Sequence, residues 1–220
     1  MANDDLTGAK KARDDEFYTQ YHDIQTEINA YLMFDENVFR DKTILLPCDD
    51  PEWSNFTKFF AQNFENFGLR KLVSTSYAPN SKPRDLDLQP TLFETESPQF
   101  DEVKAIANGK IFTIERSEKE NNHLDFDDLK WSYLSGDGDF RSPEIKKLRD
   151  EADIIITNPP FSLFREFLAW IVEADKGFVI LGNMNAITYK EVFPLIQGDR
   201  MWLGATANGS DLVFRVPEGR

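Results

Sequence analysis

Along most of this chain, uninterrupted apolar runs alternate with apolar residues at helical spacing, a pattern that predicts buried strands covered by helices. Residues 1–13 are polar and expected to be flexible. Tyr21, Ile24, Ile28 and Tyr31 then recur roughly one helical turn apart and predict an amphipathic helix beginning near Tyr21. TILLP, Thr43 to Pro47, is a short buried strand that proline ends. Ser54 follows as a helix N-cap, Phe56, Phe60, Phe64 and Phe67 form the apolar stripe, and Gly68 supplies the stop. With LRKLVSTSY, Leu69 to Tyr77, as the next strand, the unit reads strand, helix, strand. That order favours a parallel pair joined by a crossover helix.

Residues 78–130 break the rhythm with prolines and acidic residues, and are expected to be an insertion carrying a hairpin, with KIFTIER, Lys110 to Arg116, as its clear strand. Trp131 to Ser142 predicts a short strand falling into the glycine-rich acidic loop GDGDF, and Pro143 to Asp150 a charged helix. ADIIITNPP, Ala152 to Pro160, gives the strongest strand signal. Phe164, Phe167, Leu168 and Ile171 make one apolar face of the helix behind it, with Ser162 as its cap. KGFVILGN, Lys176 to Asn183, is another apolar strand. A helix near Tyr189 to Gln197 and two late strands, MWLGA and DLVFRVP, complete the chain. The predicted class is α/β, a mainly parallel doubly wound sheet with a hairpin-containing insertion, in one domain spanning residues 1–220.

With 220 residues, 40% of them hydrophobic, the chain can bury a full core. Its single cysteine, Cys48, excludes a disulfide framework. Nothing resembles a signal peptide or an apolar stretch long enough to span a bilayer, so no membrane association and a cytoplasmic location are expected. The net charge of −14 repels a polyanion at long range, which any nucleic-acid function has to overcome.

In a parallel sheet ligands gather at the carboxyl ends of the strands, and the unusual residues of this chain lie there. PCDDPEWSN follows the first strand, GDGDF the short strand, NPPF the strongest strand and GNMNA the next. In NPPF the Asn158 side-chain oxygen and the Pro159 carbonyl are two acceptors on a backbone that proline makes rigid. Two acceptors suit a planar exocyclic base amine. They draw on its hydrogens, favour a lone pair aimed at an electrophile and stabilise positive charge developing on nitrogen. Phe161 offers a ring for stacking, and such an amine is reached only when its base leaves the duplex.

These blocks, DIIITNPPFSLFREF, PCDDPEWSNF and GNMNAITYKE in this order, resemble the EcoRI-type N6-adenine DNA methyltransferases from about Asp14 to Pro217. The resemblance implies a Rossmann-like class I methyltransferase fold, S-adenosylmethionine as cofactor, double-stranded DNA with an adenine target as partner, and a restriction-modification or phage-related role. It implicates Phe17, Tyr18 and Thr19 at the methionine end of the cofactor, and Pro47, Cys48, Asp49 and Asp50 in the cofactor loop after the first strand. Asp49 or Asp50 would reach the methionine ammonium or the ribose. Asp139 would accept from the cofactor adenine and Phe140 would pack on its ring. The catalytic block is Asn158, Pro159, Pro160 and Phe161, with Asn158 also beside the cofactor. In this family much of the DNA contact lies beyond the catalytic core, so the chain is expected to be a short form lacking most of a recognition region.

The chain departs from the general methyltransferase pattern twice: PCDDPEWS has no glycine, and the end of the second strand offers hydroxyl groups where an acidic residue binds the ribose. The alternatives are methyl transfer to RNA or to a protein amide, and a catalytically idle remnant that acts by binding a partner. Cys48 reads as a small buried residue, Lys146 to Arg149 as a solvated helix face or a phosphate contact, and His123 with Asp125, Asp127 and Asp128 as a superficial likeness to a metal cluster; no metal is expected.

Overall fold

The helix read from Tyr21 onward runs Tyr21–Phe34 (α1) and turns Ile24 and Ile28 inward. It is the first element of the computed structural model, which describes residues 19–51, 54–78, 100–116 and 131–204. Strand β1 (Thr43–Leu46) is buried at every position. Helix α2 (Asn55–Gln62) starts where sequence placed it, because the Ser54 side chain accepts from the backbone N–H of Phe56 and Thr57 and satisfies two otherwise orphaned donors. Strand β2 (Lys71–Thr75) pairs parallel with β1, as the strand, helix, strand reading requires. Helix α3 (Glu102–Ala107) and strands β3 (Lys110–Glu115) and β4 (Trp131–Tyr133) come next. Then follow α4 (Pro143–Glu151), β5 (Ile154–Thr157), a 3-10 turn at Phe161–Leu163, α5 (Phe164–Glu173) and β6 (Gly177–Ile180). Another 3-10 turn at Met184–Thr188 and α6 (Phe193–Gln197) are the last of the described elements.

The six strands among the described residues form one sheet in the order β4-β3-β2-β1-β5-β6. Pairing is parallel between β1 and β2, β1 and β5, and β5 and β6, and antiparallel where β3 joins β2 and β4 joins β3. The chain is therefore mixed α/β with a mostly parallel sheet. Alternation along the strands splits the core into two layers. Ile44, Leu46, Leu72 and Ile156 meet Ile28 of α1 and Phe60 of α2 on one face. Leu45, Val73 and Ile155 meet Ile145 of α4 and Phe167 of α5 on the other. Full burial of one such side chain is worth about 1.5–3 kcal/mol, and coverage of both faces explains why these strands are apolar without alternation.

Some expectations are corrected. β3, the clear strand of the insertion, does not stay in a hairpin of its own: it joins the main sheet along Lys71 to Thr75 of β2 and pairs on its other side with β4, which lies just beyond the insertion. Ser162 does not cap α5: a 3-10 turn intervenes, and the helix begins at Phe164 without a side-chain cap. The helix expected near Tyr189 to Gln197 begins at Phe193. Residues 201–204 of MWLGA form no strand, and DLVFRVP lies outside the described residues.

Candidate active site

Strand order reverses between β1 and β5: the chain leaves β1 toward β2 on one side and returns to β5 on the other. In open α/β sheets such a reversal opens a crevice outside the carboxyl ends of the strands. The loops after β1 and β5 flank this point. Because β4 is antiparallel to β3, and β3 to β2, β4 ends at the same edge as the parallel strands. Its GDGDF loop thus reaches the rim.

Beneath the β1 and β5 loops lies a buried polar hub centred on Asp49, a residue only 5% exposed. Ser54 Oγ donates to its Oδ1 at 2.7 Å, and Thr157 Oγ1 donates to its Oδ2 at 2.5 Å. The backbone N–H of Asn158 also donates to this carboxylate. The main chain of Asp49 is fixed as well: its N–H donates to the Thr75 carbonyl, and its carbonyl accepts from Ser74 Oγ at 2.5 Å. Ser74 Oγ in turn shares a hydrogen bond with Thr57 Oγ1 of α2. Burial pushes the Asp49 carboxyl up to about 6, against the pull of the Thr157 and Ser54 hydroxyls. Of the two candidate acids, Asp49 is thus the one turned inward, and Asp50 is half-buried.

The GDGDF loop is held differently. Gly138 has φ +82, and a Cβ there would lie 2.2 Å from the Ser76 carbonyl oxygen. A glycine is required by the left-handed conformation and by the close approach to the end of β2. Asp139 accepts from Arg141 at Nε (2.9 Å) and Nη2 (2.6 Å), and hydrogen-bonds Tyr77. The Arg141 guanidinium holds its carboxyl below the usual carboxylate range. Phe140 is buried in the core, with its ring edge-on to Phe167 and Trp170.

Asn158 and Pro160 are half-buried and Pro159 is buried at the tip of β5, with Phe161 half-buried in the turn that follows. Pro47 is buried, and its carbonyl accepts from Thr75 Oγ1; Cys48 is half-buried. Thr19 lies against the start of α2, where its carbonyl accepts from Asn55 Nδ2. Its own hydroxyl is enclosed without a hydrogen-bond partner among the described residues, beside a cavity of about 20 Å³ lined by Asp23, Ile24, Phe56, Val179 and Leu181. Phe17 and Tyr18 lie outside the described residues, as do His123, Asp125, Asp127 and Asp128; the described residues contain no cluster suited to a metal ion. Arg149, read as solvated, instead packs over the Trp170 ring and donates to the Trp170 carbonyl. No described helix is long and apolar enough to cross a membrane.

Sequence reading missed Thr157, Ser54 and Ser74 as parts of the site. Their signal was present: the hydroxyl-rich end of β2, and a threonine directly before the asparagine.

Residues 5–220 match the model of a family described as adenine-specific methyltransferase EcoRI. The Type II methyltransferase M.EcoRI of Escherichia coli is 43% identical over 97% of this chain and 59% of its own length. M.MpnI, a Type II methyltransferase of Mycoplasma pneumoniae, is 34% identical over 94% of this chain and 52% of its own length. M.MgeORF184P of Mycoplasma genitalium, of the same description, is 30% identical over 91% and 50%. The chain thus spans between half and three-fifths of the length of these relatives. No solved structure matches.

Proposed function

The chain belongs to the EcoRI adenine-specific methyltransferase family, and we propose that it is itself an S-adenosylmethionine-dependent DNA methyltransferase, built on a Rossmann-like class I fold and acting on N6 of adenine in a restriction-modification or phage-related setting. The observation that carries this reading is the position of Asn158: it directly follows β5 beside the strand-order reversal, pinned through its backbone to a buried carboxylate.

In this reading the Asn158 Oδ1 atom and the Pro159 carbonyl accept from the two hydrogens of the target amine. That demand pulls the lone pair out of conjugation, directs it across the crevice and offsets charge that develops on nitrogen. Phe161 stacks on the extruded base, a contact worth about 1–3 kcal/mol. S-adenosylmethionine, when bound, supplies an electrophilic methyl group. The residues present suit it: the enclosed Thr19 hydroxyl needs a polar partner, and Pro47, Cys48 and Asp50 border the reversal. Asp50 is the acid of its pair that faces the cofactor, since Asp49 is spent inside. Asp139 is available to the cofactor adenine once Arg141 shifts.

The test is mass spectrometry of nucleosides after incubation of the full chain with adenine-containing duplex DNA and S-adenosylmethionine, with RNA and protein acceptors in parallel. N6-methyladenine in the DNA is expected. Methyl groups appearing only in RNA or protein, or nowhere although the protein is folded, would overturn the assignment.

A further inference from the structure

The polar hub beneath the strand ends contains a buried carboxylate that none of the chemistry above uses. Resting on the methyltransferase reading, we propose that Asp49 is a positioning residue: through the Thr157 hydroxyl and the Asn158 amide it sets the orientation of the Asn158 side chain toward the target amine.

The sheet itself leaves this task undone. Pairing between β1 and β5 joins Ile44 to Ile154 and Leu45 to Ile155. On its other side β5 continues to Thr157, which pairs with Ile180 of β6, and the Thr157 carbonyl accepts from the Leu181 N–H. The last residues of β5 are therefore held by ladder bonds toward β6 and by the Asp49 carboxylate toward β1. Asp49 is anchored in turn to α2 through Ser54 and to β2 through Thr75 and Ser74. A shift of any of these elements is transmitted to the residue that faces the substrate.

A carboxylate is a costly choice for this place. Burying one is expensive unless strong donors surround it, and an apolar or amide side chain would tie strand ends together at lower cost. What a carboxylate offers is acceptance alone: it takes two hydroxyls and an amide N–H with no competing donor and so fixes their directions together. Rules broken locally in a fold tend to mark functional sites. Well-supported orientation is also what catalysis by hydrogen-bond acceptors needs, since misplacement by about 1 Å can cost roughly 100-fold in rate.

The experiment compares Asp49→Asn, Thr157→Val and Thr157→Ser in the full chain, with S-adenosylmethionine and adenine-containing duplex DNA. Thr157→Val and Asp49→Asn are expected to lower kcat about 30- to 100-fold with the KM for the cofactor within about threefold of wild type. Thr157→Ser, which keeps the hydroxyl, should restore kcat to within about threefold. Thermal unfolding run alongside separates positioning from a structural role, because a mere brace would lower the melting temperature and leave the kcat of the folded enzyme unchanged. Unchanged kcat in folded Thr157→Val and Asp49→Asn would overturn the proposal, as would a raised cofactor KM at constant kcat, which would make Asp49 a cofactor ligand. If the wild-type chain transfers no methyl group, the functional assignment has failed and a second readout decides the positioning claim. Amide hydrogen exchange at Asn158 should then accelerate at least about tenfold in Thr157→Val and remain slow in Thr157→Ser; equal protection in all three proteins would overturn the claim.

Discussion

Asp49 and Asp139 lie at the same edge of one sheet, yet burial pushes the Asp49 carboxyl up to about 6 while the Arg141 guanidinium holds the Asp139 carboxyl below its usual range. Asp49 is surrounded by hydroxyls and an amide that converge from α2 and β5, and its main chain is bound to β2. Asp139 is met by Tyr77 and by one arginine two residues away, whose own side chain is 52% exposed and also reaches Glu166 of α5. Environments that drive like groups apart mark a division of labour. The inner aspartate is fixed and braces the turn that carries Asn158. The outer one is held as a charged carboxylate by a guanidinium that is itself half in solvent.

The largest expected effect falls on the outer half. Gly138→Ala combines strain at φ +82 with a contact of 2.2 Å to a backbone oxygen that cannot move independently of β2. Urea unfolding should show a loss of roughly 3–5 kcal/mol; a loss within experimental error would mean that the GDGDF loop is not clamped to β2.

The next effect concerns the inner half and its pH dependence. Since the Asp49 carboxyl in the folded protein lies above its ordinary value of 3.8, the folded protein binds the extra proton more tightly between pH 4 and 6. Its contribution to stability is therefore complete below about pH 4 and is lost as pH rises through about 6, by up to roughly 3 kcal/mol. The charged neighbour acting on it is Asp50, which raises it further; the other groups facing it are the hydroxyls of Ser54 and Thr157 and the Asn158 amide. Denaturant unfolding across this range should show a decline in wild type that is absent from Asp49→Asn. Parallel curves would remove the contrast between the two aspartates.

The smallest effect tests the outer ion pair. Arg141→Ala should cost about 1 kcal/mol, because the half-exposed guanidinium limits the loss although it grips a carboxylate only 18% exposed at two nitrogens. A depressed carboxyl contributes stability above its unfolded value and loses it as pH falls through the folded one, so the variant should move that loss to higher pH. An NMR titration of the Asp139 carboxyl would show its midpoint rising; an unmoved midpoint would place the cause elsewhere.

The parts legible in the sequence share a physical basis. TILL and IIIT are buried on both sides, so continuous β-branched and leucine residues announce them, and the Ser54 cap and Phe56/Phe60 stripe are local signals. The strand-end position of Asn158 followed directly from the strand before it. What was illegible depends on contacts distant in sequence. The edge pairing of β3 could not be told from a separate hairpin, because antiparallel pairing looks the same within a segment. The inward turn of Asp49 depends on Thr157, 108 residues away, and the enclosure of Phe140 depends on Phe167 and Trp170. Residue type alone does not distinguish an aspartate that faces a ligand from one that braces the floor beneath it.

The central claim is that Asn158 acts on the target amine while the inner aspartate merely holds it in place. Its most direct test is Asn158→Ala, assayed for methyl transfer by nucleoside mass spectrometry and for S-adenosylmethionine binding by calorimetry on the same preparation. The account predicts at least a 100-fold loss of transfer, about the range for removing one preorganised polar group, with cofactor affinity within about threefold of wild type. Transfer retained at the wild-type rate, or lost in step with cofactor affinity, would contradict it.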